Sequence, residues 1–115
     1  MIQLTTSARA VQTAWRPLAD VYETPTRISV TIELAGIEPA EVDVLFLEQT
    51  LVVEGRRRLP ALDAAGIYHA AEIRRGHFRF EIALPQQVNA EPVEFRSELG
   101  LLLISFARRD ALEGR

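Results

Sequence analysis

The stretch Gly76-His77-Phe78-Arg79-Phe80-Glu81-Ile82-Ala83-Leu84-Pro85 decides how the rest of this chain folds. Every second residue from Phe78 to Leu84 is apolar, and polar or small residues fill the positions between them. Side chains on a strand alternate between the two faces of a sheet, so this spacing predicts a strand with one buried face. Gly76 and Pro85 bound the strand, since glycine turns readily and proline has no N–H to give to a ladder.

The composition restricts the class of protein. With 115 residues, of which 48% are hydrophobic and 25% charged, the chain is expected to form one globular domain. Cysteine is absent, which excludes disulfide frameworks and thiolate metal sites. No apolar run approaches the ~20 residues of a membrane span, and the N-terminus does not have the layout of a signal peptide, so we expect a cytoplasmic protein without membrane contact. The net charge of −3 argues against nucleic-acid binding.

Six further stretches have the composition of strands, separated by glycine, proline or polar residues. They are Asp20–Glu23, Arg27–Leu34, Val42–Leu47, Leu51–Gly55, Val93–Ser97 and Leu101–Phe106. Glu48-Gln49-Thr50 is short enough to join two of them as a hairpin, and Gln86–Pro92 is interpreted as a connection. Many short strands with regular punctuation predict an all-β fold, an antiparallel β-sandwich.

The stretch Val42–Leu47 departs from simple alternation because both of its faces are apolar. The residues assigned to the core are Val42, Val44 and Phe46. This assignment leaves Leu45 and Leu47 on the outside. The two leucines either form an exposed apolar patch or are covered by the N-terminal arm, with Trp15 or Val11 as candidates. The exposed patch is the favoured interpretation.

Arg56-Arg57-Arg58 opens a long segment that continues to Ala70 without a regular pattern. Three adjacent arginines are compatible with phosphate binding, but in an acidic chain without interleaved aromatic residues a solvated strand end is favoured. The apolar residues of the segment are Leu59, Leu62, Ile67 and Tyr68. A loop this long inside a compact domain is usually functional, so we expect the segment to dock on another surface.

The sequence contains no recognisable catalytic constellation. His69 and His77 are the only histidines, and no third ligand is spaced to close a metal site with them. The serines in predicted strands have no glycine-flanked elbow, and no glycine-rich loop is placed to hold a phosphate. The carboxylates of Asp43 and Glu54 are interpreted as ordinary surface charges. We therefore predict a protein that is not an enzyme and that uses no metal and no cofactor.

Several short motifs occur in a fixed order along the chain. They are Asp20-Val21-Tyr22-Glu23-Thr24 after Pro17, Leu34-Ala35-Gly36, Leu51-Val52-Val53-Glu54-Gly55-Arg56-Arg57, Tyr68-His69 before Glu72, Gly76-His77-Phe78 before Leu84-Pro85, and Gly100-Leu101-Leu102. On these motifs, the chain from Trp15 to Phe106 resembles the α-crystallin domain of the small heat-shock proteins, of the bacterial and plant type. Leu34-Ala35-Gly36 is similar to that family's Leu-Pro-Gly, and Leu51–Arg57 is similar to its Leu-x-Ile-x-Gly-x-Arg.

The resemblance implies an immunoglobulin-like β-sandwich with an extended strand-exchange loop. It also implies an ATP-independent holdase that binds non-native client proteins through exposed apolar surface. In a homodimer, Leu59–Ala70 is expected to cross to a second protomer and to pair near Asp20–Thr24. The residues expected at the dimer interface are Asp20, Tyr22, Leu59, Leu62, Ile67, Tyr68 and Arg79. Those expected to bind clients or to line a groove are Val44, Leu45, Leu47, Val93 and Phe95.

The chain also departs from the family pattern. Phe80 replaces an arginine of the family, and Phe95 and Leu99 replace the alanine and asparagine before the final Gly-x-Leu. The C-terminal Ile-x-Ile/Val anchor is absent after Phe106, so we expect dimers or small oligomers rather than large shells. These departures keep open a second function, that of a non-catalytic adaptor or scaffold sandwich that binds one defined partner. The expected organisation is a short arm (1–14), the sandwich (15–107) and a short tail (108–115).

Overall fold

The computed structural model describes residues 14–109 of the chain. Its strands are β1 (Ala19–Glu23), β2 (Arg27–Glu33), β3 (Asp43–Leu47), β4 (Thr50–Arg57), β5 (Gly76–Ala83), β6 (Val88–Glu98) and β7 (Leu101–Arg108). A single 3-10 turn over Pro39–Glu41 precedes β3. Most of the predicted arm, including Val11, and most of the predicted tail lie outside the described residues.

The strands form two antiparallel sheets. One sheet has four strands in the order β1-β2-β7-β6, and the other has three in the order β3-β4-β5. The prediction of an all-β antiparallel sandwich is therefore confirmed. Within these sheets β1 and β6 are the edges of the first, and β3 and β5 are the edges of the second. The four edges matter for function, because an edge strand offers backbone N–H and C=O groups to another chain.

The core lies between the two sheets and comes from the alternating apolar residues that the sequence indicated. Side chains that are at most 1% exposed are Ile28, Val30, Ile32, Leu51, Val53, Phe78, Phe80, Val88, Ile104 and Phe106. Phe46 of β3 reaches across to Phe106 of β7, with ring centroids 4.8 Å apart. Full burial of one such side chain stabilises the fold by about 1.5–3 kcal/mol relative to its exposure. The two sheets are thus joined mainly by aromatic and β-branched packing.

Two-residue turns set the register of the β3–β4 and β6–β7 hairpins. Glu48 and Gln49 have φ angles of 53° and 62°, and Leu99 and Gly100 have φ angles of 54° and 84°. Turns with two positive φ angles match the twist of the flanking strands, which is why two-residue hairpins favour them. The predicted hairpin through Glu48-Gln49-Thr50 is confirmed, with Leu47 opposite Thr50 as its closing pair.

The sequence interpretation was wrong by two residues or more about where three strands begin or end. The predicted connection Gln86–Pro92 belongs largely to β6, which begins at Val88 and not at Val93. A register shift between Val88 and Val93 interrupts the ladder to β7, so the apolar alternation breaks there. β4 runs on to Arg57, and β7 to Arg108, so the irregular segment covers 58–75 and does not begin at Arg56.

Candidate binding surfaces

A groove runs along one side of the sandwich, between the edge strands β3 and β6. Its volume is about 420 Å³. The lining residues are Pro39, Val42, Val44, Phe95, Arg96, Ser97 and Leu102. A second hollow of about 340 Å³ shares four of them and extends the groove toward Leu34 and Ile37. The walls of the β3–β6 groove are mostly apolar, and its polar side chains, Arg96 and Ser97, lie on β6.

Both edges of this groove offer free backbone groups. Leu47 and Thr50 close a two-residue hairpin, so the alternation of the ladder turns the N–H and C=O groups of Val44 and Phe46 away from β4. In the β6–β7 hairpin, Glu98 lies opposite Leu101 as the closing pair. The same alternation, counted from that pair, turns the N–H and C=O groups of Phe95 away from β7. An extended peptide would therefore find hydrogen-bond partners on two edges and apolar walls between them.

Four of the five predicted client or groove residues divide between two surfaces, and the fifth packs against the core. Val44 and Phe95 line the groove. Val93 is half-buried and packs against the core. Leu45 and Leu47 point to the outer face of the three-stranded sheet and are 57% and 62% exposed. This assignment of β3 side chains to core and solvent is the one that the sequence predicted.

Leu45 and Leu47 belong to a small apolar surface, called here the leucine patch, that also includes half-buried Val52 opposite Leu45. Trp15 does not cover it, because Trp15 bridges to Phe78 on β5, at the other edge of the sheet. The alternative that Trp15 shields these leucines is therefore wrong. The alternative occupant from the arm, Val11, lies outside the described residues.

The opposite side of the sandwich carries the free edge of β1. The amide of Glu33 donates to the carbonyl of Leu18 (3.0 Å) and the amide of Thr24 donates to the carbonyl of Arg27 (2.9 Å). These two bonds establish which residues of β1 direct their backbone N–H and C=O groups at β2 and which direct them away from it. By the antiparallel alternation, the N–H and C=O groups of Val21 and of its neighbours at 19 and 23 point to the open edge. β1 can therefore accept one more strand without losing a bond to β2.

Asp20 and Tyr22, two predicted dimer-interface residues, lie on this edge strand. Their side chains project to the outer face of the four-stranded sheet, where Tyr22 is 69% exposed. Val21, between them, turns toward the core opposite Val30. The structure thus brings the predicted pair together on one exposed strand.

The segment 58–75 carries four more of the predicted interface residues. Leu59, Leu62, Ile67 and Tyr68 are all exposed, and Ile67 is 80% exposed. Three of them, with Asp63 and Gly66, enclose a shallow hollow of about 160 Å³. Exposed apolar side chains grouped in this way are typical of an interaction site.

Arg79, the last predicted interface residue, lies elsewhere. It is on the outer face of β5, where its guanidinium donates to Glu81 (2.8 Å) and also pairs with Glu54. The hydrogen bond to Glu81, helped by the charges of Glu54 and Glu81, raises the pKa of Arg79. His77 lies 3.4 Å from the same Glu54 carboxylate. The Arg79 guanidinium is therefore already engaged within its own sheet, apart from the β1 edge.

Sequence reasoning missed the role of Arg57. It treated the arginine run as a solvated strand end, which describes Arg56 and Arg58 but not half-buried Arg57. Arg57 stacks over the Trp15 ring, with 4.6 Å between the guanidinium carbon and the ring centroid. The available signal was the strand period, which places position 57 on the same face as Gly55 and Val53.

Within residues 14–109, no three histidine or acidic side chains are grouped so as to hold a metal ion. In the same part of the chain, no helix is long and apolar enough to cross a membrane.

The family of the chain follows from its match to a family model. Residues 20–114 match the model of the Hsp20/alpha crystallin family, and the chain belongs to that family. The resemblance found in the sequence is therefore confirmed. The family consists of ATP-independent chaperones and not of enzymes.

Relatives and solved structures agree with this assignment. Small heat shock protein C2 of Rickettsia felis is 28% identical over 94 residues, which are 82% of this chain and 61% of the relative. The heat shock 22 kDa chloroplastic protein of Chlamydomonas reinhardtii is 26% identical over 79% of this chain and 59% of the relative. The chain thus spans about three-fifths of the length of these curated relatives.

Among solved structures, hspA of Xanthomonas axonopodis has a TM-score of 0.76 at 25% identity, over 84% of this chain and 97% of that one. Heat shock protein 16.0 of Schizosaccharomyces pombe has a TM-score of 0.74 at 26% identity, over 82% and 87%. Both are members of the small heat-shock class, so the α-crystallin fold of this chain is shared with them.

Proposed function

We propose that this protein is an ATP-independent holdase that binds non-native proteins through exposed apolar surface and prevents their aggregation. Family membership supports the chaperone role. The apolar surface supports the mode of binding, because it can cover the hydrophobic groups that a non-native protein exposes. We place this activity in the cytoplasm, as the composition of the chain predicts.

The leucine patch carries the proposal. Leu45 and Leu47 are more than half exposed and side by side on one strand, where an ordinary surface strand would hold polar residues. The groove lies on the other face of the same strand, lined by Val44. A client segment bound at β3 can therefore use the patch, the groove and the free backbone edge together.

The proposal includes a homodimer formed by strand exchange. Segment Leu59–Ala70 would leave one protomer and pair with the free β1 edge of the other, covering Leu62, Ile67 and Tyr68. The exposure of these side chains and the outward backbone groups at Val21 support this arrangement. Asp20 and Tyr22 would border the added strand, and Leu59 would lie at its start. The resemblance also places Arg79 at the interface, but its guanidinium is engaged with Glu54 and Glu81 on its own sheet, so the strand-exchange proposal does not depend on it.

Suppression of aggregation tests the function directly. A heated, unrelated enzyme is followed by light scattering with and without the protein at a substoichiometric ratio, in the absence of ATP. A holdase lowers the scattering under these conditions. An adaptor with one defined partner leaves the scattering unchanged and, without an exchanged strand, sediments as a monomer.

A further inference from the structure

The ends of segment 58–75 are tied to each other by two reciprocal hydrogen bonds. Nη1 of Arg57 donates to the carbonyl of Arg74 (2.8 Å), and Nη1 of Arg75 donates to the carbonyl of Arg58 (3.3 Å). Each bond joins residues 17 positions apart. The four residues form what we call the neck, the place where the segment leaves β4 and returns to β5.

Arg57 also fastens the neck to the sandwich. Its Nε donates to the carbonyl of Ala35 (3.0 Å), and its guanidinium lies over the ring of Trp15. Nε1 of Trp15 donates in turn to the carbonyl of Gly76 (3.2 Å), directly after Arg75. A planar guanidinium suits this position because it can donate in two directions and stack at the same time.

The neck is held by carbonyl acceptors and not by ion pairs. Among residues 14–109, Arg58 is the one neck arginine with a carboxylate partner, which is Glu41. The side chain of Arg74 makes no hydrogen bond to any of the described residues. Like charges this close repel one another, so the two donated bonds hold the neck closed against the charge of its own arginines.

We propose that Arg57 and Arg75 are positioning residues that close this neck and so fix the direction in which the exchange segment projects. This inference rests on the proposed strand exchange. The β4–β5 ladder already holds Arg57 opposite Gly76, and the two bonds extend this closure to Arg58 and Arg74. A segment that is fixed further along its length samples fewer conformations before it binds, and less entropy is lost when it pairs with the partner. The bonds at the neck therefore act on dimer affinity, although neither arginine needs to touch the partner.

The test compares Arg75→Gln with Arg74→Gln, adjacent substitutions that remove the same charge. Only the first removes a neck hydrogen bond. The dimer dissociation constant is measured by sedimentation, and the emission of Trp15, the only tryptophan, reports on the neck. We expect Arg75→Gln to weaken the dimer about 10-fold and to shift Trp15 emission to longer wavelength, with Arg74→Gln close to the parent. Arg75→Lys should recover most of the affinity, since its ammonium can still donate to Arg58.

A double-mutant cycle tests whether the two arginines act as one unit. If they do, Arg57→Gln with Arg75→Gln weakens the dimer no more than the worse single change, because one broken bond already opens the neck. Equal losses from Arg74→Gln and Arg75→Gln, or an Arg75→Gln protein with the affinity and emission of the parent, would overturn the inference. If the parent is a monomer, strand exchange has failed. The Trp15 emission of Arg75→Gln compared with that of Arg74→Gln and Arg75→Lys then decides whether Arg75 closes the neck.

Discussion

The ring of Phe78 lies directly against the backbone of Gly55. A Cβ built at position 55 would approach two ring carbons of Phe78 to 2.7 and 2.8 Å, inside any normal contact. The two residues face each other in the ladder between β4 and β5. The glycine of the Leu-x-Ile-x-Gly-x-Arg pattern is therefore explained by the space that a buried aromatic ring occupies beside it.

This contact predicts that Gly55→Ala destabilises the sandwich. Phe78 is fully buried, so its ring cannot swing into solvent, and an overpacked core typically costs about 1–3 kcal/mol. Chemical denaturation measures the change. Phe78→Leu alone also destabilises the fold, but the smaller leucine makes room for the new methyl group. The double variant should therefore lose less unfolding free energy than the two single variants lose together. If the losses of unfolding free energy in the two single variants simply add in the double variant, the clash between position 55 and the Phe78 ring is relieved in some other way.

Only alternate residues of β1 form backbone hydrogen bonds to β2. Proline is therefore expected to have opposite effects at two adjacent positions of this strand. The N–H of Val21 points to the open edge, so Val21→Pro keeps the bonds to β2 and blocks a strand from pairing outside. The N–H of Tyr22 is directed at Ser29, so Tyr22→Pro leaves a carbonyl of β2 unpaired, at about 1–3 kcal/mol. We expect Val21→Pro to be a folded monomer and Tyr22→Pro to be less stable. Circular dichroism and light scattering distinguish them, and a dimeric Val21→Pro protein would exclude pairing at this edge.

Deletion of Leu59–Gly66 is expected to give a folded monomer. The remaining residues 58 and 67–75 still span the distance between β4 and β5, while most of the segment proposed to exchange is lost. A full-length control, Leu62→Ser with Ile67→Ser and Tyr68→Ser, keeps the loop length and removes only the apolar side chains. Light scattering should give a monomer mass for both. A dimer mass for the deletion protein would show that the subunits associate through another surface.

The strands were predictable from the sequence where one face is buried and the other is solvated. In β2 and β5 the apolar residues follow period two without interruption, so burial and alternation agree. The start of β6 was not predictable in this way. Val88 is fully buried and bonded to the side chain of Gln49, which lies 39 residues earlier, and a register shift follows it.

The binding surfaces were predictable only in part, because they depend on which strands are edges. The exposure of Leu45 and Leu47 follows from β3 alone and was predicted correctly. The groove lies between β3 and β6, which are edge strands of different sheets. The apolar alternation within each strand carries no information about which two edges lie side by side. The neck likewise brings Arg57 and Arg75 together only after the β4–β5 ladder has formed.

The client surface gives the last prediction. Leu45→Glu with Leu47→Glu replaces the exposed leucines by charged side chains on the solvent face, so the core and the β3–β4 register are kept. Each leucine that a client buries fully contributes about 1.5–3 kcal/mol, enough for the pair to dominate weak binding. We expect the double variant to keep its fold and dimer mass but to lose suppression of aggregation.

The matched control is Leu18→Glu with Leu99→Glu, which changes the charge equally at leucines 72% and 93% exposed outside the patch. It should protect a heated client as well as the parent does. Equal loss in both double variants would make added negative charge the cause, since charge repels clients wherever it lies. Full protection by the variant at 45 and 47, with an unchanged circular-dichroism spectrum, would place the client site elsewhere. An unfolded variant would mean that these leucines are covered in the working protein, because a solvated leucine can be replaced by glutamate at little cost to stability.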